Sequence, residues 1–271
     1  MFSRITTRTI NPELFRMARA ETEVSGRLDH HIADKHSLLL KYAFTNNREA
    51  GDAFNRGGLV DPSARGSNFI EDQGVTGSVT SVLGSYTFSK TIDDASDFNE
   101  QPQNPYLLPA ERALSANDQR HRFVFSGTFD LPFGEEEDGK QTSGVIAKLF
   151  GNIETAPILT IGSGRPINPL TGFDVNRSGA LPLSSRPLSF GRNSLRTGTQ
   201  AQLDLRVLKF FKIGEHGKLD FVVESFNLLN HTNVVALNQF YGTESTPLAA
   251  FATGNKAGIP RQLQFSIDFE F

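Results

Sequence analysis

Metal binding and acid–base chemistry need histidines and carboxylates that converge, so the six histidines are the first residues to weigh. His30 and His31 are adjacent, and neighbouring side chains on a strand point to opposite faces, so the pair is badly placed to share an ion. His36, His121, His216 and His231 fall in or beside expected turns and loops. The absence of cysteine removes disulfides, thiolate ligands and cysteine nucleophiles. No Gly-x-Ser-x-Gly elbow supports a serine hydrolase. "IGSGRP" at 161–166 has glycines but no Gly-Lys-Ser/Thr and no helical pattern after it, so it reads as a loop and not a phosphate cradle. "TIDDASDFNE" brings together Asp93, Asp94, Asp97 and Glu100, the oxygen donors calcium takes. It lacks the spacing of a calcium loop, and we read it as a solvated acidic loop. "GEEEDGK" at 134–140 reads as a charged turn. In "FNLLNHTN" (226–233), Asn227, Asn230 and Asn233 are expected to satisfy backbone groups at a strand end, because Asn side chains form local turns. No catalytic residue, cofactor-binding residue or metal ligand is assigned, and no enzyme activity is expected.

The elements that would carry any site are strands. The last stretch, "RQLQFSIDFEF", sets Leu263, Phe265, Ile267, Phe269 and Phe271 against Gln262, Gln264, Ser266, Asp268 and Glu270. Strict period two means one apolar and one polar face. The same two registers run through "RHRFVFSGTFDLPFG", with Phe123, Phe125 and Phe129 on the apolar side, and through "AQLDLRV", with Leu203 and Leu205. They recur in "KLDFVVES", with Phe221, and in "HSLLLKYAFT" and "ETEVSGRLDHHI". "NIETAPILTIG" is poorer, because Pro157 lacks a ladder donor. Strands are expected near 20–32, 37–46, 84–91, 121–132, 152–163, 201–213, 218–229 and 261–271, with 1–19 left as an N-terminal segment that is not a signal peptide.

Two features choose among all-β folds. The links at 33–36 and 214–217 are short, whereas those near 47–70, 91–119, 163–200 and 230–260 are long and rich in Gly, Pro, Asn and Asp. Short turns at one end and long loops at the other are the pattern of an outer-membrane β-barrel. The polar registers carry Arg27, Asp29, Asp204, Arg206, Asp220, Glu224 and Asp268, which a watery lumen tolerates and a lipid face does not. We therefore expect an all-β, antiparallel outer-membrane barrel with Phe123, Phe125, Phe129, Leu203, Leu205, Phe221, Phe265 and Phe269 facing lipid. A soluble β-sandwich would share the alternation and is the competing expectation. The net charge of −3 gives no basic surface for nucleic acid. Strand parity leaves "FIEDQGVTGSVTSV" joined to "LGSYTFSK" with almost no link. Either the turn is tight near Gly84, or the chain carries an internal deletion near 72–84.

Several segments, taken in order, resemble one family. "SGRLDHHIADKHSLLLKYAF", "GSYTFSKTIDDASD", "NDQRHRFVFSGTFDLPFG", "GRNSLRTGTQAQLDLRVLKFFKI" and "ESFNLLNHTN" are similar to the C-terminal barrel of TonB-dependent receptors. The similarity is to the Oar-like branch, often fused to a carboxypeptidase-regulatory-like domain. With the final strand it covers 20–271. The resemblance implies part of a 22-stranded barrel in the outer membrane of a Gram-negative-type bacterium. It also implies an N-terminal plug and a TonB contact, neither of which is found in these residues, and there is room for about eight or nine strands of typical length. Implied partners are outer-membrane lipid, the barrel-assembly machinery, and the remainder of the receptor, with TonB reached only through it. The resemblance further implies that Phe265, Phe269 and Phe271 form the C-terminal assembly signal. The alternative function is a small independent barrel or adhesin that binds through its long loops.

Overall fold

The computed structural model describes residues 4–10, 18–33, 36–52, 66–79, 82–97, 100–104, 106–131, 151–174, 185–213, 217–243 and 245–270. The strands are β1 (Arg4–Ile10), β2 (Ala18–Ala33), β3 (His36–Asp52), β4 (Gly66–Val79), β5 (Val82–Asp93), β6 (Ala113–Leu114), β7 (His121–Gly127) and β8 (Phe129–Asp130). They continue as β9 (Ile153–Gly162), β10 (Pro166–Ile167), β11 (Leu195–Arg196), β12 (Gln200–Ile213), β13 (Gly217–Phe226), β14 (Val234–Leu237), β15 (Gly254–Ala257) and β16 (Gln262–Glu270). The main sheet is an antiparallel meander in the order β1-β2-β3-β4-β5-β7-β9-β12-β13-β16, with β6 beside β5 and β8 beside β9. Each long strand pairs with its neighbours in sequence, so the sheet needs no crossovers.

Period two in the sequence becomes rows across the sheet. One row reads Gly26, Tyr42, Val75, Tyr86, Phe123, Ile161 and Ala201, each opposite the next. A second reads Leu28, Leu40, Gly77, Gly84, Phe125, Leu159 and Leu203. Toward the C-terminus, Val207, Val223 and Phe265 align, as do Phe211, Leu219 and Phe269. Among the described residues no second layer covers this face. Leu28, Phe265 and Ile267 are 59%, 71% and 65% exposed, and the described buried apolar side chains other than proline are Ala95, Leu170 and Val222. A sandwich would bury these rows in an inter-sheet core; here they face outward from a single wall. Lys209 sits on the apolar register but turns its ammonium back to the Gly151 carbonyl at 2.9 Å.

The connections sort by end. Ala33 pairs with His36, Val79 with Val82 and Ile213 with Gly217, so these three short strand junctions fall at one end of the sheet. The ends of β3, β5, β9 and β13 that lead to the next long strand fall at the other. Sequence expectations need four adjustments. β1 forms within the segment given no strand, and it raises the meander from nine strands to ten. The tight junction expected near Gly84 is fixed by Val79 pairing with Val82, with Gly84 itself inside β5 opposite Gly77. The strand expected at 121–132 is split into β7 and β8, although Ser126↔Ile158 and Phe129↔Thr155 keep one register. The break faces Pro157, which has no N–H to donate. β13 stops at Phe226 because Asn227 takes a left-handed backbone (φ 51°).

Candidate functional site: the loop cap

β5 delivers Asp93 to the loop end, and the following loop folds on itself. Ser96 Oγ donates to Asp93 at 3.0 Å, and the Ser96 N–H donates to Glu100 Oε2 at 2.7 Å. The loop 163–199 then inserts Arg192 into this turn. Its Nε donates to Glu100 Oε1 at 2.7 Å, and Nη2 donates to Asp93 Oδ1 at 2.7 Å, with Ser96 Oγ at the same distance. Nη1 donates to the Asp93 and Glu111 carbonyls at 3.0 and 3.2 Å. Every donor of the guanidinium fork is used. Arg192 is buried, and burial by itself would lower its pKa; Glu100 and Asp93 override that and hold it above the ordinary value. The solvated reading of the acidic loop is therefore corrected. Asp93 is buried, the Glu100 side chain is 9% exposed, Asp94 is half-buried, and Asp97 is the one of the four acids that stays exposed.

Two more acids are buried nearby. Glu111 ends a single 3₁₀ turn (Leu108–Glu111) and accepts from the Gln103 N–H at 2.9 Å and from Arg186 Nη2 at 2.9 Å. Arg186 Nη1 lies 2.8 Å from the other carboxylate oxygen, off line for a hydrogen bond. Asp118, fully buried, accepts the Thr91 N–H at 3.0 Å and is met by Arg196 at 3.3 Å and Arg120 at 3.7 Å. Asn193 donates to the Leu114 carbonyl at 2.7 Å. Loops 94–120 and 163–199 are thus joined through charge, not through an apolar core.

The loop 227–261 is fastened differently. Asn227 donates to the His231 and Ile259 carbonyls at 3.0 and 3.1 Å and accepts the His231 N–H at 3.1 Å. Asn233 meets the Ala201 backbone with both ends of its amide, at 2.8 and 3.0 Å, and Asn230 accepts the Arg261 N–H at 3.2 Å. The expected backbone role of these asparagines is what the geometry contains. Phe190, Tyr241 and Phe251 form a ring cluster with centroids 5.1 to 5.5 Å apart, and Leu170 exchanges backbone hydrogen bonds with Gln239 and Tyr241. The glycines of "IGSGRP" also find their reason: a Cβ on Gly164 would lie 1.7 Å from the Thr197 carbonyl oxygen, so only glycine permits that approach.

Where the three loops meet they leave a cleft of about 540 Å³. Glu100 and Asn117 come from the first loop, Asn168 and Asn193 from the second, and Gln239 and Phe240 from the third. No residue of the cleft was marked as a ligand from sequence, although Ser96, Asp97 and Glu100 stood in the flagged acidic motif and Pro166 in "IGSGRP". The residues marked for lipid and for assembly lie elsewhere, on the wall. Phe123, Phe129, Phe221, Phe265 and Phe269 are exposed; Phe125, Leu203 and Leu205 are half-buried on the same face. Phe271 lies outside the described residues, as do His216 and the 134–140 turn. Among the described residues no three His, Asp or Glu side chains converge as a metal site would require.

A one-layered antiparallel meander with its loops gathered at one end now stands beside the comparison with known families. The model of the family described as "Outer membrane beta barrel domain" matches residues 75–191 and 188–264. This chain belongs to that family. Its match takes in β5 through β15 and the three loops of the cap, so this part of the wall and the cap belong to one outer membrane barrel domain. The family places the protein in an outer membrane. Among curated proteins none matches the chain.

Proposed function

We propose that this outer membrane barrel is the C-terminal portion of a TonB-dependent receptor of the Oar-like branch, serving substrate uptake. The observation that carries the reading is the open sheet: β1 and β16 end the meander and do not pair with each other. An open edge inside lipid strands unpaired backbone groups, so a spanning sheet must close. On this reading upstream strands close it, a plug fills it, and TonB is reached only through those parts. The apolar rows are its lipid face, and Phe265, Phe269 and Phe271 are read by the assembly machinery of a Gram-negative-type outer membrane. The chain carries no catalytic role.

One observation favours a small independent barrel instead. The meander has ten strands, an even number within the range of closed barrels, and β1 and β16 run in opposite directions as closure would need. Refolding into phospholipid vesicles separates the two. The receptor reading expects no compact, heat-modifiable, SDS-resistant species from this chain alone, and its appearance when a polypeptide carrying the upstream strands is co-refolded. A compact monomer formed by this chain alone would transfer the argument to the small barrel.

A further inference from the structure

We infer that the cleft at the junction of the three loops binds a neutral oligosaccharide. Its volume of about 540 Å³ falls in the range of small-ligand sites. The chemistry of its wall narrows the class. Carboxamides from Asn117, Asn168, Asn193, Gln239 and Asn255 line it. Asn168 and Asn193 are tied to Glu100, Ser96, Leu114 and each other and shape the wall, while Asn117, Gln239 and Asn255 bring the donor and acceptor side by side that vicinal hydroxyls require. Among the described residues no Lys, Arg or His lines the cleft, so a phosphate or carboxylate ligand would meet no countercharge there. The acids there do not make it a strong cation site: Glu100 is paired with Arg192, and Asp97 is the other carboxylate in the described lining. Asp97 is exposed and can accept from a hydroxyl.

Phe240 supplies an apolar surface for the C–H face of a sugar ring. It is 41% exposed, and one side is backed by Gly172, where a Cβ would come within 3.2 Å of its ring. Gly172 also has φ +82°, so both its space and its backbone hold that backing in place. The site is preorganised from behind. Arg192 fixes Glu100, Asn168 Oδ1 accepts the Asn193 N–H at 3.3 Å, and Leu170 is tied to the Phe240 strand segment on both sides. Little ordering is left for the ligand to drive, which favours binding.

As the substrate class of a transporter this inference rests on the function proposed above; as binding at the cap it does not, since binding needs no uptake. The test is calorimetric titration of the full chain, refolded in detergent together with any strands its closure requires. The probes are hexasaccharides of α-1,4-glucose, β-1,4-glucose and β-1,4-mannose, with a neutral hexapeptide and polyphosphate as controls. At least one hexasaccharide should bind and the controls should not. Phe240→Ala and Asn117→Ala should each weaken that binding at least ten-fold while heat-modifiable mobility stays as in the parent. Asn117 is exposed, so its variant keeps the test valid if Phe240→Ala disturbs the loop. No binding by any hexasaccharide, binding indifferent to both variants, or preference for the peptide or polyphosphate would each overturn the inference. Uptake that fails in cells while hexasaccharides still bind would count against the transport reading alone.

Discussion

The wall and the cap of this barrel domain are stabilised in opposite ways. In the wall, apolar side chains lie exposed on one face, and the polar face carries short-range pairs such as Arg27 with Asp29 at 2.7 Å and Lys218 with Asp220 at 2.8 Å. In the cap, charged side chains are buried: Arg192, Arg186, Glu111, Asp93 and Asp118 are among its interior residues. Strand pairing satisfies the wall's backbone, and on the proposed reading lipid solvates its outer face, so the wall needs no core. The cap combines the Phe190, Tyr241 and Phe251 ring cluster and the buried Ala95 and Leu170 with hydrogen-bonded ions that join its first two loops. The difference teaches that burial has inverse meanings in the two regions. On the proposed reading an exposed Phe in the wall is in its proper solvent, and a buried Arg in the cap is the centre of the assembly.

The sharpest way to break this contrast is to remove the central cation. Arg192→Met leaves Asp93 and Glu100 buried without their partner, which costs about 3–5 kcal/mol. The loss should be local. Protease should cut within 94–120 and 185–199 while the wall keeps its heat-modifiable mobility. If the wall unfolds together with the cap, the two regions are one cooperative unit and the contrast falls.

A charge on the wall should act the other way round. Phe125→Arg places a cation on the apolar face at a cost of about 2–4 kcal/mol near mid-membrane, whereas Arg206→Leu on the polar face should be tolerated. The folded fraction after insertion into vesicles is the measurement. Equal fractions for the two variants would remove the sidedness. A smaller effect sharpens the boundary between the regions. Asn227→Ala removes three buried hydrogen bonds at the end of β13 and should cost about 1–3 kcal/mol. Faster amide exchange of His231 and Arg261 with unchanged exchange in β13 would place the effect in the cap. Loss of protection throughout β13 would show that the asparagine knot belongs to the wall.

Much of the wall was legible because a sheet between two solvents repeats its demand at every second residue. The strands around Phe123, Leu203, Phe221 and Phe265 were found to within a few residues on that basis alone. β1 was missed because "RITTRTI" alternates weakly, and its pairing with β2 is set by the neighbour, not by its own pattern. The asparagines of "FNLLNHTN" were also readable, since most of their partners are close in the chain or on the adjoining strand. The acidic loop was misread for the reverse reason. Asp93 and Glu100 look solvated within their own stretch, and their partner Arg192 is 99 and 92 residues away.

The sequence by itself determined the strand directions, the two faces and the sorting of loops, because each depends on period two and on the lengths of adjacent links. Only the tertiary structure decided which charges are buried, where the turn between β4 and β5 falls, and that three loops leave a cleft between them. Those depend on contacts between segments that share no local pattern, brought together only once the sheet has set the loop ends side by side.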